Sequence, residues 1–121
     1  MTYEFVNQKN SKSLASRAKK ASSYAQRLLG LMGKKDLPQG EGLWFPKCNS
    51  IHMWFMKIPI DAVFIKKEGN DYRVIKCFSR LKPWRVFPAM SLNATDVIEL
   101  PVGVIDSAEV REGDLLCINS K

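Results

Sequence analysis

No apolar stretch of this chain runs far before glycine, proline or a polar cluster interrupts it, and that punctuation limits what the chain can fold into. YEFV, LWF, DAVFIKK, YRVIKCF, DVIEL and LLCIN are rich in aromatic and β-branched residues. Turn text such as QKN, LPQGEG, EGND and REGD lies between them. Short runs of this composition read as strands, and their repetition predicts a mainly β chain, a small antiparallel β-barrel or rolled sheet. SKSLASRA is expected to return as a second strand after QKN, and DAVFIKK with YRVIKCF to form a hairpin across EGND.

One segment carries helical text. In SSYAQRLLGLMGKK, Ser23 and Gln26 have capping-box spacing, and Leu28, Leu31 and Met32 recur at helical intervals. Gly33 suits the left-handed residue that ends a helix, so the spacing predicts a helix near residues 23–33. Gly30, which costs about 1 kcal/mol relative to alanine inside a helix, points to a close approach by another segment. GVIDSAEV has the length for one or two helical turns, and LKPWRVFPAM, with two prolines, is expected to be irregular.

At 121 residues the chain is expected to be a single domain, 1–121. Its three cysteines, Cys48, Cys77 and Cys117, form no C-x-x-C pair and are odd in number, which favours free thiols in a reducing compartment over a disulfide framework. The opening MTYEFVNQKNSKS has no apolar run of signal-peptide length, and no segment approaches the roughly 20 apolar residues of a membrane span. The expectation is a cytoplasmic protein with no membrane partner. The net charge of +7 is uneven: residues 1–47 hold nine Lys and Arg against three acidic residues, and residues 48–121 hold ten against nine. A basic first third suits a phosphate backbone or an acidic partner, although solvated lysines are also ordinary surface.

The segments RLLGLMGKKDL, GEGLWFPKCNSIHMWFMKIPIDAVFI, LKPWR, VIELPVG and REGDLL, in that order and spacing, resemble the small bacterial and archaeal proteins grouped as domain of unknown function 192. The resemblance spans roughly residues 3–118. It implies a compact, β-rich, barrel-like fold with a short helix, and no defined activity. Many members of that family carry a secretion signal, and the opening of this chain does not read as one, which fits a cytoplasmic form.

The candidate chemistry centres on Ser50–Ile65, SIHMWFMKIPIDAVFI, a greasy run that holds the chain's one histidine with a lysine and an aspartate. Ile58 precedes Pro59, which disfavours helix, so the run is read as two extended pieces hinged at the proline. Cys48, His52 and Met56 are soft metal ligands spaced four apart. On a strand they span roughly 13 Å, too far for bonds of about 2.0–2.3 Å to one ion, so no metal site and no cofactor are expected. A Cys–His pair oriented by Asp61 would be nucleophilic chemistry, but no catalytic signature surrounds it.

Strand parity places His52, Trp54 and Met56 on one side, Met53, Phe55 and Lys57 on the other, and Asp61 with Val63 and Ile65. A carboxyl in such surroundings must find donors; turn amides, Lys57, Arg27 and Arg85 are the expected partners. Glu99 in VIEL poses the same question, on the side of Val97. These groups read as anchors of strand register and, secondarily, as the rim of a small polar-lined pocket formed by His52, Lys57, Asp61, Trp84, Arg85 and Glu99. The reading is a non-catalytic binding or accessory module, with a small polar ligand or a protein as partner, as a monomer or weak homo-oligomer. The first alternative is single-stranded nucleic-acid binding through Lys12, Arg17, Lys19, Lys20, Lys34 and Lys35, with Tyr24, Trp44, Trp54 and Trp84 available to stack on bases. The second is a small enzyme using His52 with a cysteine or Asp61.

Overall fold

Ten elements follow one another in the computed structural model, which describes residues 1–21, 36–51, 53, 56–85 and 87–120. They are β1 (Tyr3–Asn7), β2 (Lys12–Lys20), β3 (Glu41–Pro46), β4 (Ser50–Ile51), β5 (Ile60–Glu68), β6 (Asp71–Leu81), β7 (Ala89–Met90), β8 (Asp96–Leu100), the short helix α1 (Val104–Ser107) and β9 (Leu115–Ser120). Seven strands close a barrel in the order β1-β2-β3-β8-β5-β6-β9, and β4 and β7 form a separate two-stranded ribbon. The mainly β, barrel-forming expectation holds, and EGND makes its hairpin turn with Gly69 at φ 62°, a conformation glycine adopts without steric cost. The helix predicted near residues 23–33 lies outside the described residues.

Six of the seven barrel pairings are antiparallel, and β2 with β3 is parallel. Parallel neighbours require a long crossover, and residues 21–40 supply it between the end of β2 and the start of β3.

The barrel buries two apolar layers. Inside lie Phe5, Leu14, Trp44, Tyr72, Ile98 and Leu116, with Val104 and Ile105 of α1 packed against them. Outside, Phe45, Met53, Met56, Phe64 and Val97 build a second cluster. β5 separates the layers, and its first six residues are all buried. This explains why IDAVFI, apart from Asp61, is apolar on both faces: Val63 and Ile65 serve the inner layer, Ala62 and Phe64 the outer one.

The stretch before Pro59 departs from the sequence reading. Among the described residues there, Ser50 and Ile51 alone are strand, paired with Met90 and Ala89. The Met56 amide then donates to the Met53 carbonyl at 3.3 Å, so the chain turns. Met53 and Met56, which strand parity assigned to opposite faces, are both buried in the outer cluster. The apolar side chains cover a sheet instead of pairing within one, and composition alone does not separate those two uses.

Candidate functional site

Asp61 is the best-satisfied of the candidate residues. Between the pairs Ile60–Leu81 and Ala62–Phe78, β5 contributes Asp61 alone, whereas β6 contributes Ser79 and Arg80. This is a β-bulge, and Arg80 takes the left-handed conformation, φ 53°. The Asp61 carboxyl holds it there: Oδ1 accepts the Arg80 amide at 2.9 Å. Oδ2 accepts the amides of Gly103 at 3.1 Å and Ile105 at 3.0 Å, so the same side chain ties down the start of α1. Among its expected partners, backbone amides are the ones found, and Arg27 lies outside the described residues. Asp61 is thus a buried anchor whose side chain faces the barrel interior.

Glu99 points the other way. Cross-strand pairing sets Leu43, Glu99, Ala62 and Phe78 in one row over the outer face of β3, β8, β5 and β6. The Glu99 residue is only 7% exposed, and among the described residues no hydrogen-bond donor reaches its carboxyl. Burial alone pushes that carboxyl up from 4.5 to about 8. Adjacent strands stand about 4.8 Å apart, so Phe78 lies roughly 10 Å from Glu99 across the small Ala62.

Beyond Phe78 an open groove of about 590 Å³ runs along the end of β6, lined by Phe78, Arg80, Lys82, Trp84 and Arg85 among others. Its aromatic floor attracts cations: the Lys76 ammonium lies 4.9 Å and the Arg85 guanidinium 5.4 Å from the Phe78 ring centre. Trp84 sits on a turn at φ 60° and donates its amide to the Met53 carbonyl at 2.7 Å, which ties this loop to the segment leading to Lys57. From residue 72 to 95 the sequence holds Arg73, Lys76, Arg80, Lys82 and Arg85 and no acidic residue. Among the described residues no carboxylate lies within ion-pair distance of Lys76, Arg80, Lys82 or Arg85, whereas Arg73 pairs with Glu68 at 3.1 Å.

The six predicted pocket residues therefore divide. Trp84 and Arg85 share the groove, and Glu99 lies on the same outer face. Lys57 is exposed on the neighbouring segment. Asp61 serves the interior, and His52 lies outside the described residues. Sequence reasoning placed Trp84 and Arg85 at the pocket rim, within the irregular segment LKPWRVFPAM, but missed Lys76, Phe78 and Arg80. The acid-free interval from 72 to 95 was a legible signal for the two cations, though not for their place at the groove.

The catalytic and metal readings turned on His52, which lies outside the described residues, and on the cysteines. Burial, with smaller contributions from Glu112 and Asp114, pushes the Cys77 thiol up to about 11, opposite to what a nucleophile needs. Cys48 donates its thiol to the Ser50 carbonyl at 3.1 Å. Among the described residues no three His, Cys, Asp or Glu side chains cluster in a way that would hold a metal ion.

The basic first third is partly engaged. Lys12 pairs with Glu109, Arg17 donates to the Gln39 carbonyl at 3.2 Å, and the Lys20 ammonium sits 4.8 Å from the Trp44 ring centre. Lys19 is exposed. Trp44 does not fit the role of a stacking platform: it is buried, meets Tyr3, Phe5 and Tyr72 edge-to-face, and donates Nε1–H to Asp96 Oδ2 at 2.7 Å. A ring with an aromatic cage around it and a partner for its N–H is a core group. Lys34, Lys35, Tyr24 and Trp54 lie outside the described residues.

Comparison with known proteins places this architecture. A UPF0127 protein of Thermococcus kodakarensis is 33% identical over 115 residues, spanning 92% of this chain and 70% of the relative. A UPF0127 protein of Pyrococcus horikoshii is 32% identical over 114 residues, spanning 90% of this chain and 93% of the relative. Two crystal structures share the fold at 21% identity. A protein of unknown function from Novosphingobium aromaticivorans has a TM-score of 0.79 and matches 96% of this chain and 83% of its own. A candidate transcription regulator from Sinorhizobium meliloti has a TM-score of 0.77 and matches 94% and 89%. The family model for domain of unknown function 192, described as "Uncharacterized ACR", matches residues 5–118, and the chain belongs to that family of small β-barrel proteins.

Proposed function

We propose that the protein is a non-catalytic binding module that takes a small anionic ligand with a flat apolar part in the groove at the end of β6. One observation carries this reading: the groove combines the aromatic surfaces of Phe78 and Trp84 with Arg80, Lys82 and Arg85, cations that no carboxylate neutralises among the described residues. An aromatic wall with convergent cations suits an aryl phosphate or aryl carboxylate. Asp61 supports the site from below by fixing the bulge from which the loop departs. A non-catalytic role fits an Asp61 carboxyl already engaged by three amides and a Cys77 thiol held protonated. The three free thiols suit a reducing compartment, and we place the protein in the cytoplasm.

Thermal unfolding with 1-naphthyl phosphate, 1-naphthoate, inorganic phosphate and 1-naphthalenemethanol tests the reading. A ligand that prefers the native form raises Tm. The two naphthyl anions should do so, more than phosphate or the neutral alcohol, and Lys82→Ala/Arg85→Ala should abolish the effect. No Tm rise with either naphthyl anion, or an undiminished rise in the double variant, overturns it. Binding of nucleic acid through the N-terminal third is the weaker reading, because Lys12 and Arg17 already have partners.

A further inference from the structure

Among the described residues the exposed large hydrophobic side chains are Met1, Trp84, Phe87, Met90 and Leu92, so four of the five fall within one nine-residue excursion between β6 and β8. Phe87 and Leu92 are 75% and 78% exposed, Trp84 58% and Met90 44%. The local structure turns them outward. Trp84 sits on a turn fastened to the Met53 carbonyl. In the β4–β7 ribbon Ala89 faces the outer cluster, so Met90, the next residue, faces away. Ser91 donates to the Asn49 carbonyl and accepts the Ala94 amide, which puts Leu92 on a turn between them. Four water-facing apolar side chains concentrated on one short segment point to an interaction surface.

We propose that residues 84–92 dock the protein on an anionic membrane surface, with Trp84, Phe87, Met90 and Leu92 entering the headgroup–acyl boundary. Two features select lipid over a protein partner. Lys76, Arg80, Lys82 and Arg85 lie on the strand and loop that lead into the segment, no acidic residue occurs from 72 to 95, and this charge complements anionic headgroups. The apolar side chains come from two turns, a bend and a two-residue strand, whereas a protein interface requires a matching rigid shape; lipid adapts to an irregular apolar surface. Among the described residues no helix is long and apolar enough to cross a membrane, but surface docking spans nothing. The sequence-based expectation of no membrane partner rested on spanning alone.

The inference goes beyond the groove reading and stands without it, because neither Phe87 nor Leu92 lines the groove. The experiment is co-sedimentation of the full chain with vesicles of phosphatidylcholine alone or with about 30 mol% phosphatidylserine, at low and physiological salt. The wild type should partition onto the anionic vesicles, several-fold more weakly onto neutral ones, and less as salt rises. Phe87→Ser/Leu92→Ser, both at exposed positions, should keep the wild-type Tm and lose about tenfold or more in partitioning. Lys82→Ala/Arg85→Ala should lose a comparable factor on anionic vesicles only. Absence of binding to anionic vesicles at low salt overturns the proposal. So does binding that Phe87→Ser/Leu92→Ser leaves unchanged, which would be bare charge attraction. A concentration-dependent dimer that this variant dissolves would assign the patch to a second copy of the chain and also overturn it.

Discussion

Replacing Glu99 by glutamine removes one proton site and keeps the shape of the side chain, which isolates the consequence of burying this carboxyl. In the folded protein it titrates at about 8 instead of 4.5, because burial disfavours the charged form. A carboxyl whose folded value is raised binds a proton in the native state that the unfolded chain has released. Its contribution is therefore fully present below pH 4.5, declines as the pH rises toward 8, and is constant above that. At 1.36 kcal/mol per pH unit, the interval from 4.5 to about 8 corresponds to a loss on the order of 5 kcal/mol. A typical domain has about 5–15 kcal/mol in all, so the effect should be large.

Urea unfolding of wild type and Glu99→Gln at intervals from pH 4.5 to 9 measures it. The difference in unfolding free energy should tilt by several kcal/mol toward the variant as the pH rises. Glutamine also buries amide hydrogens without acceptors, at a cost of about 1–3 kcal/mol; that cost offsets the two curves and does not tilt them. Glu68 and Glu109, held low by hydrogen bonds from Arg73 and Lys12, titrate below this window and equally in both proteins. If the difference between the curves changes by less than about 1 kcal/mol from pH 5 to 9, the carboxyl is solvated or paired in solution and the reasoning about the outer face fails.

Two further outcomes follow from the geometry. Asp61→Ala leaves three backbone amides without their acceptor, at about 1–3 kcal/mol for each buried group, so chemical denaturation should show a loss of several kcal/mol. Faster amide hydrogen exchange should appear first at Arg80, Gly103 and Ile105, and a loss below 1 kcal/mol would deny Asp61 its role as anchor. Cys77, with its thiol raised to about 11, should react with iodoacetamide at pH 8 far more slowly in the folded protein than in urea; equal rates would contradict its burial.

Local pattern carried much of the fold. The hairpin of β5 and β6, the strand DVIEL at Asp96–Leu100, the strand after REGD and the turn of helix after Gly103 are all written in short contiguous stretches of sequence. Met53 and Met56 were misread as strand residues because apolar text serves equally as a strand or as cover over one. The groove was half legible: LKPWR announced its loop, and Phe78 and Arg80 became part of it only through the bulge.

The sequence by itself determined the strands, the alternation that sends Asp61 inward with Val63 and Glu99 outward with Val97, and the demand that a buried carboxyl find donors. These are properties of a chain with period two and fixed side-chain chemistry. Tertiary structure alone decided that Asp61 meets Arg80, Gly103 and Ile105, that Glu99 meets no donor among the described residues, and that β2 runs parallel to β3. Those outcomes depend on which distant strands become neighbours when the barrel closes, and closure joins segments too far apart in sequence for any local pattern to specify.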